Sequence, residues 1–173
     1  MKHNLPTIQM VLVMGVSGSG KTTVGRLLAE ELGWNFQDAD EFHPLTNVEK
    51  LRRGMPLTDD DRLPWLRQLR RLISGWIEAQ RSVVLACSAL THRYRAILLE
   101  GMEDHVRLVY LKGNLDLIER RLAGRKDHFM HRGLLASQFE TLEEPGEALV
   151  VDIEDSPDRI VARIRSGLGL WVK

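Results

Sequence analysis

The chain has 173 residues, 43% of them hydrophobic, which is the length of one domain and enough apolar material for a core that needs no disulfide or metal. Lys plus Arg and Asp plus Glu both number 24, so no global field argues for nucleic acid or an anionic membrane surface, and any basic site must be local. Met1 to Thr7 is too short for a secretory apolar segment and no run approaches the ~18 apolar residues of a membrane span, so the expectation is a cytoplasmic protein without a membrane partner. The single cysteine, Cys87, lies in the apolar run S-V-V-L-A-C-S; it cannot form an internal disulfide and reads as a buried core thiol in a reducing compartment.

Short apolar runs alternate with longer amphipathic stretches along the whole chain. This pattern predicts an α/β fold in one domain over 1–173, with a five-stranded, mainly parallel sheet covered by helices on both faces. Ile8 to Met14 reads as the first strand and Thr22 to Leu32 as a helix ended by Gly33. Trp34 to Gln37 is a short second strand, followed by a polar segment and a helix near Asn47 to Arg53. Asp59 or Asp60 is expected to cap a long helix that carries Pro64 in its first turn and reaches Ala79. Trp65 and Trp76 share a face of that helix, a spacing suited to core or subunit packing. Ser82 to Cys87 and Val106 to Leu111 are the next strands, with a helix through Tyr94 to Leu99 between them. Helices over Leu115 to Leu122 and Leu134 to Leu142 flank the basic segment Gly124 to Gly133, which reads as a surface loop. Ala148 to Ile153 is the last strand, and Ser156-Pro157 is an N-cap and N1 pair opening the final helix.

Gly15-Val16-Ser17-Gly18-Ser19-Gly20-Lys21-Thr22 matches G-x-x-x-x-G-K-[ST] completely and lies between a strand and a helix, the context in which that motif holds a nucleoside triphosphate. The glycines let backbone N–H groups converge on a polyphosphate, Lys21 reaches the outer phosphates, and the Thr22 hydroxyl is placed to ligate Mg²⁺. Switches, motors and kinases share this loop, so the surroundings must discriminate. No N-K-x-D guanine signature is present, and the strand ending Ala86-Cys87-Ser88 lacks the terminal acid of an ATPase motor.

After the second strand stands Asp38-Ala39-Asp40. On an extended backbone the two carboxylates would point to the same side. Phosphoryl transfer needs a group to align or deprotonate the acceptor hydroxyl, and Asp40 is the candidate, with Asp38 organising Mg²⁺ through water. The same acids would also serve simply to cap a loop. A sugar-acid acceptor needs a guanidinium for its carboxylate, for which Arg52, Arg53, Arg62 and Arg95 are all available. His3, His92 and His131 show no zinc-site spacing and read as surface residues.

The stretch H-P-L-T-N-V-E-K-L-R-R-G-M-P-L-T-D-D-D-R-L-P-W-L from His43 to Leu66 resembles the gluconokinase family's H-P-x-x-N-x-x-K-M-x-x-G-x-P-L-x-D-x-D-R-x-P-W-L, departing at Leu51, where Met is usual. C-S-A-L at Cys87 to Leu90, Y-R at Tyr94 and Arg95, Y-L-K-G at Tyr110 to Gly113, H-F-M, and Q-F-E-T-L-E-x-P ending at Pro145 extend the likeness over nearly the whole chain. The resemblance implies a P-loop kinase fold related to the shikimate kinases, with a mobile lid at 124–133. It also implies transfer of the ATP γ-phosphoryl group to the 6-hydroxyl of D-gluconate with Mg²⁺. By similarity, Asp40 serves the hydroxyl; Arg62 is the first choice for the carboxylate, with His43, Ser88 and Arg95 behind it. Arg125, Lys126 and His128 would close the lid over phosphates and substrate, and Arg121 with Pro157 resembles a pair that sandwiches adenine. A homodimer is implied by the family alone. The family's usual Lys after C-S-A-L is Thr91 here, which bears on acceptor affinity. A kinase of another sugar acid and an ATP-sensing module are the competing expectations.

Overall fold

M-V-L-V-M at Met10–Met14 forms β1, and every residue in it is 1% exposed or less, as a strand covered on both faces requires. The computed structural model describes residues 8–123 and 132–171. In it β1 pairs in parallel with β3 (Val83–Ala86) and with β4 (Val106–Lys112), so that Leu12 stands beside Leu85 on one side and Leu108 on the other. β2 (Asn35–Asp38) lies outside β3 and β5 (Leu149–Asp152) outside β4. The order is β2-β3-β1-β4-β5, an all-parallel sheet of five strands as the alternating pattern predicts.

Parallel neighbours need crossovers, and these are α1 (Lys21–Leu32), α2 (Leu45–Arg52), α3 (Asp59–Glu78), α4 (His92–Leu99), α5 (Leu115–Ala123) and α6 (Arg132–Thr141), with α7 (Pro157–Leu168) after the last strand. Alternation along the strands splits the core in two. Met10, Leu12 and Met14 meet Leu66, Leu69, Ile73 and Leu98 of α3 and α4 on one face. Val11 and Val13 meet Leu28, Val161 and Ile164 of α1 and α7 on the other. Trp65 and Trp76 both belong to the first cluster, so their shared face packs inside the subunit.

Local chemistry explains where the long helix begins. The expectation of Asp59 or Asp60 as its cap is corrected: Thr58 caps α3, accepting the Asp61 N–H while the Asp61 side chain accepts the Thr58 N–H. This reciprocal box satisfies two orphan donors, which a single Asp cap does not. Pro64 therefore falls inside the helix rather than in its first turn. At the last helix, Pro157 sits at the first helical position after Ser156, as read from the sequence.

All strands aim their carboxyl ends at one edge. The chain places β3 on one side of β1 and β4 on the other, and at such a reversal the loops separate to leave a crevice. The expected lid lies outside the described residues, Arg125, Lys126 and His128 included, apart from positions 132 and 133, which begin α6. Among the described residues no helix is long and apolar enough to cross a membrane.

Candidate active site

The loop after β1 owes its shape to glycine. A Cβ on Gly15 (φ +152°) would stand 2.7 Å from Ser19 Oγ and 2.9 Å from the Leu111 carbonyl oxygen, so a side chain there would force the loop off the sheet. Gly20 (φ 98°) caps α1 without any side-chain hydrogen bond, leaving the positive end of that helix to an anion. Lys21 Nζ bridges the loop by donating to the Val16 carbonyl at 3.0 Å. Burial holds its pKa below the ordinary lysine value, against the upward pull of Asp40, Cys87 and Asp38.

Thr22 Oγ1 donates to Asp38 Oδ2 at 2.9 Å, which brings the two residues expected to serve Mg²⁺ into contact. A hydroxyl and a carboxylate beside the phosphate loop are the hard oxygen donors that this ion takes. The reading of Asp38 and Asp40 as neighbours on one face of an extended strand is corrected. Asp38 ends β2 and caps a 3₁₀ turn over Ala39–Phe42, its Oδ1 accepting the Asp40 N–H at 3.1 Å. The turn, not strand alternation, swings Asp40 into the cleft beside Lys21. Asp40 stays open to water, its side chain 77% exposed, yet the surrounding walls and then the Asp38 charge push its carboxyl above the usual range, with Lys21 pulling it down.

The floor beneath Asp40 is aromatic. His43 stacks on Trp65 with ring centroids 4.1 Å apart and planes at 16°, and Trp65 Nε1 donates to the Ala39 carbonyl at 2.9 Å. Buried Asn47 donates to the Asp61 carbonyl at 2.9 Å and places the same amide nitrogen 3.3 Å from His43 Nδ1. Nδ1 is therefore the acceptor and Nε2 carries the proton, 3.9 Å from Asp40 Oδ1. Desolvation, followed by the charge of Arg62, lowers the His43 pKa to about 4, so the ring is neutral at neutral pH.

Of the four arginines read from the sequence, only Arg62 lines this cleft. Its Nη1 donates to the Tyr94 hydroxyl at 3.2 Å and its plane lies over the Tyr94 ring, 5.5 Å from the centroid. Tyr94 in turn donates to Asp59 Oδ1 at 2.5 Å. A guanidinium held by a phenol rather than a carboxylate keeps its charge for a ligand. Arg52 and Arg53 are exposed elsewhere. Arg95 is corrected as a cleft residue: it is 4% exposed and its Nη1 donates to the Ala89 and Leu90 carbonyls, so it shapes the loop after β3 from behind. Ser88, from that loop, does line the cleft. Thr91 caps α4, its hydroxyl accepting the Tyr94 N–H at 3.1 Å.

One wall escaped the residue-by-residue reading. Leu134, Ser137, Gln138 and Thr141 of α6 face the cleft, and Gln138 Oε1 accepts the Ser17 N–H at 2.7 Å. Glu143, just past α6, donates its N–H to the Leu90 carbonyl at 2.8 Å and accepts the His92 N–H at 2.7 Å. Gln138 and Glu143 both stand in the Q-F-E-T-L-E-x-P stretch, the only signal that marked them. On the opposite side of the phosphate loop a second cavity is lined by Gly18, Ser19, Gly20, Arg121 and Pro157, so Arg121 and Pro157 are brought together; Arg121 also donates to the Ile153 carbonyl.

The profile of a family described as an AAA domain matches residues 10–145. A probable gluconokinase of Xenopus tropicalis is 44% identical over 172 residues, covering 90% of each chain. Among solved structures, a sugar kinase from Janibacter sp. HTCC2649 superposes with a TM-score of 0.87 at 42% identity, covering 94% of this chain and 95% of that one. A gluconokinase from Sinorhizobium meliloti 1021 gives 0.82 at 39% identity, covering 95% and 93%. Phosphate loop, acid-bearing turn and family-wide likeness agree: the chain is a P-loop kinase and belongs to the gluconokinase family.

Proposed function

We propose that the protein transfers the γ-phosphoryl group of ATP to the 6-hydroxyl of D-gluconate, giving 6-phospho-D-gluconate and ADP. The observation that carries this reading is one cleft in which Lys21, Asp40 and Arg62 face the same space beside the phosphate loop. Asp40 accepts the proton of the attacking hydroxyl, and its raised pKa brings it nearer to neutral pH, where a general base works best. Arg62, free of any carboxylate partner among the described residues, takes the gluconate carboxylate as a bidentate fork. Neutral His43 with its Nε2 proton, and the Ser88 hydroxyl, serve the sugar hydroxyls.

Lys21 and the loop amides hold the phosphates, with Arg121 and Pro157 flanking the base on the other side of the loop. Thr22 and Asp38 would hold Mg²⁺, which neutralises charge on the phosphates when bound. From the sequence resemblance, Arg125 and His128 complete the site from the lid. Use of ATP and a small sugar acid, together with a lone thiol that is buried, supports a cytoplasmic location.

The test is ADP release with ATP and Mg²⁺ across an acceptor panel of gluconate, other aldonates, shikimate and nucleosides. Release dependent on gluconate is expected. Preference for another aldonate would reassign the acceptor, and no stimulation by any of them would sink the reading.

A further inference from the structure

Gln138 is held where no structural demand of α6 would put it. The helix is already anchored beyond its end by two Glu143 hydrogen bonds to the loop after β3 and to the start of α4. The Gln138 side chain nevertheless reaches to the phosphate loop, 121 residues away in sequence, and makes a short 2.7 Å bond with the Ser17 N–H. An N–H can only donate, so the group facing Ser17 is the carboxamide oxygen, and the orientation of the amide is fixed. The other end, Nε2, is then a donor with two protons, and among the described residues no group accepts from it. Gln138, Ser17, Asp40 and Arg62 line the same cleft. A long, rotamer-rich side chain loses entropy when it is pinned, so a pinned amide with an unused donor facing a ligand cleft is a prepared contact.

Resting on the kinase reading above, we propose that Gln138 is a specificity-determining residue of the acceptor site. Its oxygen is clamped by Ser17 so that Nε2 donates to an oxygen of the bound sugar acid. The contact couples the phosphate loop to the helix that follows the lid segment. It also reads the acceptor as a polyol: a donor clamped in the cleft is satisfied by a hydroxyl and left unpaired by a deoxy analogue.

Gln138→Glu separates the two ends of the amide, since a carboxylate still accepts from Ser17 but cannot donate. We expect Gln138→Glu to lower kcat/KM for gluconate about 10- to 100-fold, mostly through KM, with the dissociation constant for ATP changed less than about threefold. Gln138→Met, similar in length and lacking both functions, is expected to lose at least as much, and retained ATP binding by either variant shows that it is folded. A Gln138→Glu enzyme with wild-type kcat/KM for gluconate overturns the proposal, because the donor is then not used. A loss confined to the KM for ATP also overturns it, because the residue would then serve the phosphates alone. The wild-type assay separates failures: if the native enzyme turns over another aldonate instead, the acceptor reading fails, and the Gln138 comparison is decided with that acid.

Discussion

The two sides of the phosphate loop are built on different principles. The cleft proposed for the acceptor draws Asp40, His43, Arg62, Ser88 and Gln138 from separate stretches of chain and fixes most of them by hydrogen bonds or stacked rings. The opposite cavity has Arg121 and Pro157 against the glycines of the loop, with one hydrogen bond among the described residues, from Arg121 to the Ile153 carbonyl, to orient them. Directional polar contacts discriminate strongly between ligands, because a wrong partner leaves a donor or charge unpaired, whereas flat stacking tolerates many rings. Selectivity should therefore be strict for the acceptor and loose for the base.

Substitutions on each side can break that contrast. Asp40→Asn should reduce kcat about 1000-fold while nucleotide affinity by calorimetry stays near normal. A parallel loss of nucleotide binding would mean the two sides do not act separately. The next effect is on stability. The folded-state pKa of His43, about 4, lies below its ordinary 6.5, so the unfolded chain binds the extra proton between those values. Stability from the neutral, stacked ring is complete above pH 6.5 and is lost as pH falls toward 4, with a ceiling of about 3 kcal/mol. Urea denaturation across that range should slope less in His43→Phe than in the native protein; equal slopes would remove His43 as the cause.

Arg62→Ala should raise the KM for gluconate about 30-fold and leave ATP affinity alone, the loss of one charge-assisted contact. Arg62→Lys should recover little of it if the fork is what matters. Arg121→Ala should show the mirror pattern at smaller scale, raising the KM for ATP about 3- to 10-fold with gluconate unaffected. If GTP is discriminated from ATP by more than that factor, the cavity beside Arg121 holds directional contacts and the contrast fails.

The sheet was legible because buried parallel strands announce themselves as unbroken apolar runs, and each expected strand is found within two residues or so of its expected ends. The phosphate loop was legible because its spacing is local and its chemistry leaves little choice. The acceptor side was harder for a physical reason: its geometry is set by contacts between segments far apart in the chain. Nothing near Asp38 says that a side-chain cap will turn Asp40 inward, and nothing near Arg95 says that it will be spent on carbonyls behind the loop while Arg62 faces the cleft. The capping box at Thr58 and Asp61, by contrast, was readable at three residues' spacing, and the more conspicuous run of acids beside it obscured it.

Thr91 is where the chain departs from the family pattern by losing a cation, and the fold gives it a different occupation. Its hydroxyl caps α4, in which Tyr94 supports Arg62, so the residue bears on the proposed carboxylate site through a helix end and not by contact; Thr91 does not line the cleft. Restoring the lysine in Thr91→Lys removes the cap and sets a positive charge against the positive end of the helix, at a cost of about 1 kcal/mol. Chemical denaturation should show that loss, while the KM for gluconate should stay within about threefold if Arg62 meets the carboxylate as proposed. A KM that instead falls tenfold would show that a second cation was wanting on the acceptor side, and that the fork of Arg62 alone does not account for how the acid is held.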